Sequence, residues 1–573
     1  MNASVSMTGF EWHHVTRTEL KELRDIEEIV RQCLTQRWSR EQLNDPEWFQ
    51  PSLKHLHDPF LMLGMEAAVQ RLKQALQTGQ RIRIITDYDV DGTTSSLILQ
   101  ATLKILGDHC ALDYHIPDRF LEGYGFSTLA AERAIQDKVD LIITADIGIR
   151  DQAAVTVARQ GGVDVLICDH HLPPGEDVPE GAMVLCPPQD ACSYPNPHLA
   201  ACGVSLKLAQ AMLADHPKRE SILRSMLKLA AIGTISDMVP LTTRENRAIV
   251  SLGLHSLNQG RHNPGLQALL SVSGVQSGRI NEGDIGFQIG PRINAAGRMA
   301  DAKIVVELLT SKTPQAAKTL AERVDTMNKK RKEVQKTLVE QALSQISANP
   351  KPFILVCGPE EEGWHRGVVG IVASRIMHNT HRPTAVLSIQ GDRAVGSMRS
   401  LDGIHCVALL EQVSELLTRF GGHANAAGFT VPVEHLATLE SRLCEAVSQT
   451  IEPHTLRKIK TYDVAIPADA LSMELESALG SLGPFGMGNK KPMLLIRGVS
   501  AGHLRTLSGG KHLKLVFNTS QSSNIEAIWW NQGDFSSQME SATVDLLGQL
   551  ELNEWRGQQK LQIQIEDVRL CTP

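Results

Sequence analysis

Between Arg81 and Pro187 short apolar runs alternate with amphipathic stretches, in the order RIRIIT, SSLILQATLKIL, LIITAD, AAVTVARQ, VDVLIC and MVLCP. Alternation of this kind implies a parallel, doubly wound sheet, because parallel strands need a crossover connection and the crossover is usually a helix. Such sheets bind ligands at the carboxyl ends of their strands. Strand ends in this segment carry chemistry: RIRIIT runs into Asp87, Asp89 and Asp91 of DYDVDG, LIIT into Ala145-Asp146, and VDVLIC into Asp169-His170-His171. A helical stretch further on closes with Ile235-Ser236-Asp237. Separate segments can thus deliver carboxylates and imidazoles to one point, which is the outline of a metal site.

A chain of 573 residues with 42% apolar content has material for more than one core, and about two to four domains are expected at this size. Residues 1–55 are polar and dotted with Trp12, Trp38 and Trp48, and read as an N-terminal extension on a catalytic α/β domain over 56–311. Within that domain Leu199 to Leu270 is mostly helical in pattern. Thr313-Pro314 then supplies an N-cap and a first-turn proline, and Leu320, Val324, Met327, Val334, Leu338 and Ala342 recur at helical spacing. Residues 312–348 are therefore expected to be a connecting helix, about 50 Å long at 1.5 Å per residue. Its basic middle, NKKRK, reads as a solvated face in preference to a DNA-contacting patch. A second, smaller α/β domain spans 349–452, opening at FILVC and passing through GVVGIVASRIM and TAVLSI. From 453 to 573 the runs MLLIRGV, LKLVFN, IEAIWW, VDLLGQL and KLQIQIEDV are separated by Gly and Ser turns. That is the pattern of an OB-like β-barrel.

The net charge of −7 argues against broad, sequence-independent attraction to nucleic acid and leaves room for a local basic groove. No apolar run approaches the roughly 20 residues that span a bilayer, and the start, MNASVSMTGFEWHH, lacks a charged region followed by an apolar one. A cytoplasmic protein with no membrane partner is expected. The ten cysteines are scattered without a CxxC pair, and most, such as Cys168 and Cys357, read as small buried strand residues. Zinc ligation by Cys186 and Cys192 is the weaker reading, since structural zinc sites show tighter paired spacing.

DYDVDG, TADIG, DHH and SDMVP, in that order, resemble the four motifs of the DHH phosphoesterase superfamily. PRINAAGRM from Pro291 to Met299, GWHRGVVGIVASR from Gly363 to Arg375, GSMRS from Gly396 to Ser400 and GGHANAAGF from Gly421 to Phe429 narrow the likeness. Over nearly its whole length the chain is similar to the RecJ family of bacterial exonucleases. A lone DHH would say little, whereas the ordered set is specific. The resemblance implies a 5′-to-3′ exonuclease on single-stranded DNA that releases nucleoside 5′-monophosphates, depends on Mg²⁺ or Mn²⁺, and acts in recombination and repair. It also implies a single-strand-binding protein and a helicase as partners. By the same likeness Asp146 bridges two ions, His171 contacts or protonates the phosphate, and Asp169 orients an imidazole.

The residues support that chemistry independently. Asp89, Asp91, Asp146, His170 and Asp237 are the expected main metal ligands, with Asp87 a further one. Paired divalent ions suit phosphodiester hydrolysis because they activate water and stabilise both the attacking and leaving oxygens. Carboxylates favour hard ions, and the histidine tilts the choice toward Mn²⁺. For the substrate, Arg298, Ser397 and Arg399 offer two guanidiniums and a hydroxyl for a terminal phosphate, with Arg119 a weaker candidate. Gly421, Gly422 and His423 would let a phosphodiester approach the backbone, and Gly367 at a helix start could aim amides at an anion. His365 beside Trp364 reads equally as a nucleotide contact or a packed pair. Two rival functions stay open: a DHH phosphodiesterase for short oligonucleotides or cyclic dinucleotides, and a non-catalytic strand-binding subunit. Intact acidic motifs argue against the second, since carboxylates near phosphate only repel it unless a metal intervenes. Against the first stands the C-terminal segment, where Arg505, Lys511, Lys514, Trp529 and Trp530 could track a long strand by charge and stacking.

Overall fold

The strand runs of the first α/β domain form a five-stranded sheet in the order Leu112–His115, Ile82–Thr86, Leu141–Ala145, Asp164–Cys168, Met183–Leu185, with every pair parallel. The structure is a computed structural model and describes residues 5–16, 22–107, 110–175, 177–450, 458–500, 502–520, 524–555 and 558–571. Helices cover both faces of this sheet, which is why its central strands Leu141–Ala145 and Asp164–Cys168 are almost wholly apolar, while the edge strand Leu112–His115 is not. Ile82, Ile84, Leu141, Ile143, Leu166 and Cys168 pack on one side against Met65–Thr78 and Ala201–Met212. Ile85, Ile142, Val165 and Ile167 point the other way, against Thr128–Gln136 and Gln152–Gln160. The period of two splits each run between two cores.

The described chain divides into two units, Pro51–Thr450 and Met1–Gln50 with Ile451–Pro573. In the first, the helical stretch after the sheet is followed by a single helix, Pro314–Ser344, with Thr313 as N-cap accepting from the amide of Ala316 and proline in its first turn. Its 31 residues span about 46 Å at the α-helical rise. Lys329, Lys330 and Lys332 are exposed as a solvated face requires, but Arg331 is buried. Its Nε and Nη2 donate to Asn328 Oδ1 and its Nη1 to Gln335 Oε1. The second sheet runs Arg419–Gly422, Ala426–Pro432, Arg393–Arg399, Thr384–Gln390, Ile354–Pro359, with only the last pair parallel.

The other unit changes two expectations. The first fifty residues are not an extension of the catalytic body. Glu11–His14 pairs in parallel with Ile459–Tyr462, and Ile29 and Cys33 lie in one core with Val464, Ile466 and Leu494. A parallel pairing this distant in sequence leaves no local signature. The boundary expected at 452–453 lies outside the described residues. The expected barrel is, secondly, an open seven-stranded sheet, with Val464–Pro467 at one edge and His503–Leu507 at the other. Register shifts between Ile496 and Val499 and between Leu547 and Gly548 bend it without joining its edges. Alternation in sequence tells which face is buried, whereas closure depends on tilt and shear. Two expected strand contacts are also withdrawn: Trp529 is 2% exposed and stacked on Phe535, and Lys514 is buried against Glu526. Arg505, Lys511 and Trp530 remain exposed. No helix among the described residues is long and apolar enough to cross a membrane.

Candidate active site

From Ile82–Thr86 the chain crosses to Leu112–His115 on one side and Leu141–Ala145 lies on the other, so the strand order reverses at this point. It is there, at the carboxyl ends of the strands, that such sheets form their binding crevice. Helix Val90–Leu106 begins in it, with Asp89 as N-cap whose Oδ1 accepts from the amide of Gly92 at 3.0 Å. Gly92 must be glycine, because a Cβ would collide with the backbone carbonyl of Asp87. Asp91 has no exposed surface, and its two oxygens accept from the amides of Ala201 (2.6 Å) and Cys202 (2.9 Å), which open helix Ala201–Met212. Asp146 follows Leu141–Ala145 at φ 65, a left-handed conformation that aspartate tolerates better than most residues. Asp237 ends helix Arg219–Ser236.

These side chains converge in three groups whose ligand atoms lie within 4.8 Å of one another: Asp87, Asp89 and Asp146; Asp91, His170 and Asp237; Asp146, His170 and His171. Asp146 and His170 each belong to two of them, so the groups are linked. His170 Nε2 lies 3.3 Å from Asp146 Oδ1, 3.6 Å from Asp237 Oδ2 and 3.9 Å from Asp91 Oδ2. Burial, and then the neighbouring carboxylates, push Asp87, Asp146 and Asp237 well above the ordinary carboxylate range, and burial raises Asp91 too. Ionising them together requires a cation among them. Burial also lowers His170, favouring the neutral imidazole that ligates metals. Asp87 Oδ1 and His170 Nε2 are buried with no hydrogen-bond partner among the described residues. An oxygen-rich set with one or two imidazoles and such orphaned atoms fits Mg²⁺ or Mn²⁺.

Asp169 is placed differently. Its Oδ1 accepts from the amides of His170 (2.7 Å) and His171 (3.1 Å) and from His171 Nδ1 (2.8 Å), and its Oδ2 from the amide of Ile149. Burial alone would raise it, but the hydrogen bonds and charge of His171 prevail and hold it at about 2. Burial would likewise lower His171, and the bond to Asp169 raises it instead.

Basic groups from the first α/β domain, the long helix and the second α/β domain also come together. Arg298 Nη1 donates to Gly367 O at 3.1 Å, and Arg399 Nη1 donates to Ser397 Oγ and Met398 O, both at 2.8 Å. Arg119 lies over the ring of Tyr88 at 5.1 Å. Burial, and then repulsion from Arg119, Arg331 and Arg399, pull Arg298 down to about 10. None of Arg119, Arg298 and Arg399 has a carboxylate partner among the described residues, so the cluster calls for an outside anion. Arg331 belongs with it electrostatically and is missing from the sequence reading, which took NKKRK for one exposed face. Gly421 and Gly422 lie on the exposed edge strand, Gly422 at φ 151 and so close to Ala426 that a Cβ would collide with its carbonyl. His423 stacks on His171, ring centroids 6.1 Å apart.

Three weaker readings are corrected. The amide of Gly367 is spent on His365 Nδ1 (3.0 Å) and its missing Cβ admits the carbonyl of Arg298, so its role is close packing and not anion binding. Trp364 is 2% exposed in an apolar cluster, while His365 meets Phe120 edge-on at 5.7 Å. Cys186 Sγ donates to His171 O and Cys192 Sγ accepts from the amide of Leu63, and neither joins a metal-holding group among the described residues. One neighbour of the centre was overlooked in the sequence: Tyr124, whose hydroxyl is 3.4 Å from His171 Nε2. An aromatic between two glycines in EGYGF, shortly after a strand, was the available signal.

Comparison with known proteins bears on this centre. Residues 81–234 match the DHH family N-terminal domain, 349–449 the DHHA1 domain and 462–567 the RecJ OB domain. The single-stranded-DNA-specific exonuclease RecJ of Escherichia coli is 31% identical, over 96% of this chain and 98% of that protein. The protein of the same name from Bacillus subtilis is 36% identical over 89% of this chain, which spans 64% of that longer relative. Crystal structures of RecJ from Thermus thermophilus in complex with Mn²⁺ and with Mg²⁺ superpose with TM-scores of 0.80 and 0.75 at 27% and 26% identity, covering 100% of this chain and 81% and 80% of theirs.

Proposed function

Because the chain belongs to the RecJ family of single-stranded-DNA-specific exonucleases, we propose that it removes nucleoside 5′-monophosphates from the 5′ end of single strands, with divalent ions in its acidic centre, in DNA recombination and repair. The observation that carries this reading is the pairing of linked carboxylate-imidazole groups with a cluster in which Arg119, Arg298 and Arg399 have no carboxylate partner among the described residues. Asp87, Asp89, Asp91, Asp146, His170 and Asp237 would hold the metal. When bound there, Mg²⁺ or Mn²⁺ supplies Lewis-acid stabilisation of the phosphodiester oxygens and acidifies a water for attack. Asp169 keeps Nδ1 of His171 occupied, leaving Nε2 for the phosphate. Arg298, Ser397 and Arg399, with Arg119 beside them, grip a terminal phosphate, and the exposed Gly421-Gly422 strand leaves its backbone open to the chain behind it. On the same family ground the enzyme works in the cytoplasm, where a single-strand-binding protein and a helicase present its substrate.

Labelled single strands test the reading with Mn²⁺ present. A 5′ label leaves as a mononucleotide from the first time point, while a 3′ label descends through a ladder of shortening strands. Release of the 3′ label first overturns the polarity, and cleavage confined to the shortest strands favours the rival phosphodiesterase.

The C-terminal unit separates those enzymes further. Since Met1–Gln50 clusters with Ile451–Pro573, the clean fragment to isolate is residues 51–450. Loss of a stacking and charge surface should raise KM for long strands about tenfold while leaving tetranucleotides within about twofold. Equal losses on both lengths would mean that this unit supports the active site and does not hold DNA.

A further inference from the structure

We propose that Tyr124 is a positioning residue of the reaction, its hydroxyl fixing the imidazole of His171 with Nε2 toward the substrate; this rests on the exonuclease reading above. Nδ1 of His171 is committed to Asp169, itself clamped by the amides of His170, His171 and Ile149. That leaves Nε2 as the only ring nitrogen able to face a phosphate. Tyr124 Oη lies 3.4 Å from it, and the same hydroxyl donates to the main-chain carbonyl of Asp146 at 3.4 Å. A phenol has one proton. That proton can go to the Asp146 carbonyl, leaving the oxygen's lone pairs for an Nε2–H, or to Nε2 itself, so the hydroxyl meets His171 in either form and shares Nε2 with the phosphate. One hydroxyl therefore ties the imidazole to the backbone of the aspartate that two ligand groups share.

Both contacts are long for hydrogen bonds, as catalytic contacts without substrate often are. The ring of Tyr124 meets His171 edge-on at 6.4 Å, and His423 stacks on that imidazole at 6.1 Å, so aromatic rings bound it from more than one side.

Packing does not explain this tyrosine, since it is 60% exposed. The backbone is shaped to present it. Gly123 and Gly125 flank it at φ 85 and 96, positions where L side chains are strained. Beyond them the amide of Phe126 donates to Asp151 Oδ2 at 2.8 Å, and on the other side Asp118 Oδ1 accepts from the amides of Phe120 and Leu121. Phe120 is gripped in turn by the second domain, with Arg366 4.5 Å over its ring and His365 at its edge. The loop is thus braced at both ends with Tyr124 aimed at His171.

Tyr124→Phe keeps the ring and removes only the hydroxyl. On 5′-phosphorylated single strands in Mn²⁺, kcat should fall roughly tenfold with KM within about twofold, the loss expected for one orienting hydrogen bond. In single-turnover measurements on His171→Ala, adding Tyr124→Phe should cost nothing further, because the hydroxyl acts through that imidazole. In metal-free protein labelled with ¹⁵N-histidine, Tyr124→Phe should shift the His171 ring signals. Unchanged kcat, or a full additional loss in the His171→Ala background, overturns the proposal. Full activity in Tyr124→Phe with a large loss in Tyr124→Leu would make the ring a nucleobase surface and the hydroxyl idle. A wild type that leaves such strands intact would instead overturn the exonuclease reading, and the histidine signals would still report whether Tyr124 holds His171.

Discussion

Asparagine in place of Asp146 should abolish hydrolysis, with single-turnover rates down at least about a thousandfold, well beyond the 10–100-fold typical of losing a mere outer partner of a metal ligand. The size follows from position: Asp146 serves two of the three ligand groups, so one substitution weakens both. Asparagine is chosen because the residue sits at φ 65, which it tolerates as alanine does not. Binding of single strands in EDTA should stay within about twofold, since the guanidinium cluster is untouched. Melting temperature gives a readout apart from activity. Mn²⁺ at a hundred times its Kd stabilises a single site by about 2.7 kcal/mol, and the variant should lose most of that rise. Without metal it should melt no lower than wild type, because removing one carboxylate from a crowded, buried set relieves repulsion. His170→Ala, which also serves two groups, should likewise lose hydrolysis and most of the Mn²⁺-dependent rise. Near-normal turnover by either purified variant would remove that residue from the centre.

How much of this was legible in the sequence depends on whether the cause was local. Strand-end placement of Asp87, Asp89, Asp91, Asp146, Asp169 and His170 follows from alternation, because a parallel sheet gathers its strand ends on one side whatever the order of strands. The long helix is announced by Thr313-Pro314 and by its apolar spacing. What stayed hidden depends on partners distant in sequence. Arg331 reads as one more exposed cation in NKKRK, and only Asn328, Gln335 and the nearby Arg298 make it a buried member of the guanidinium cluster. Trp529 ends the strand Ile525–Trp529 and Trp530 follows it in a turn, so the adjacent indoles can part, one in and one out. Choosing between them required the register with Leu513 and Ile565. The union of the first fifty residues with the C-terminal unit has the same character, since Glu11–His14 shows nothing of its pairing with Ile459–Tyr462.

Arg399→Ala should depress hydrolysis of 5′-phosphorylated strands tenfold to a hundredfold and nearly erase their advantage over 5′-hydroxyl strands. The metal centre cannot set strand direction by itself, because hydrolysis between metal ions is indifferent to which end enters. Direction needs a feature found at one end only, and a terminal phosphate with its extra charge is such a feature. Arg399 donates to Ser397 Oγ and is largely buried; burial and then the nearby Arg119 lower it, and Arg119 and Arg399 in turn both lower Arg298. A dianion placed among them relieves that repulsion, and each charge-assisted contact contributes about 1.5–3 kcal/mol, the stated range in rate. Lysine at the same position keeps the charge and loses the two-pronged geometry, so Arg399→Lys should recover part of the preference and not all of it. The deciding quantity is the ratio of initial rates on 5′-phosphate and 5′-hydroxyl strands, at one metal and salt concentration, for wild type and both variants. If a folded, metal-replete Arg399→Ala protein keeps the wild-type ratio, the terminal phosphate is read elsewhere, and Arg298 or Arg119 inherits the argument for polarity.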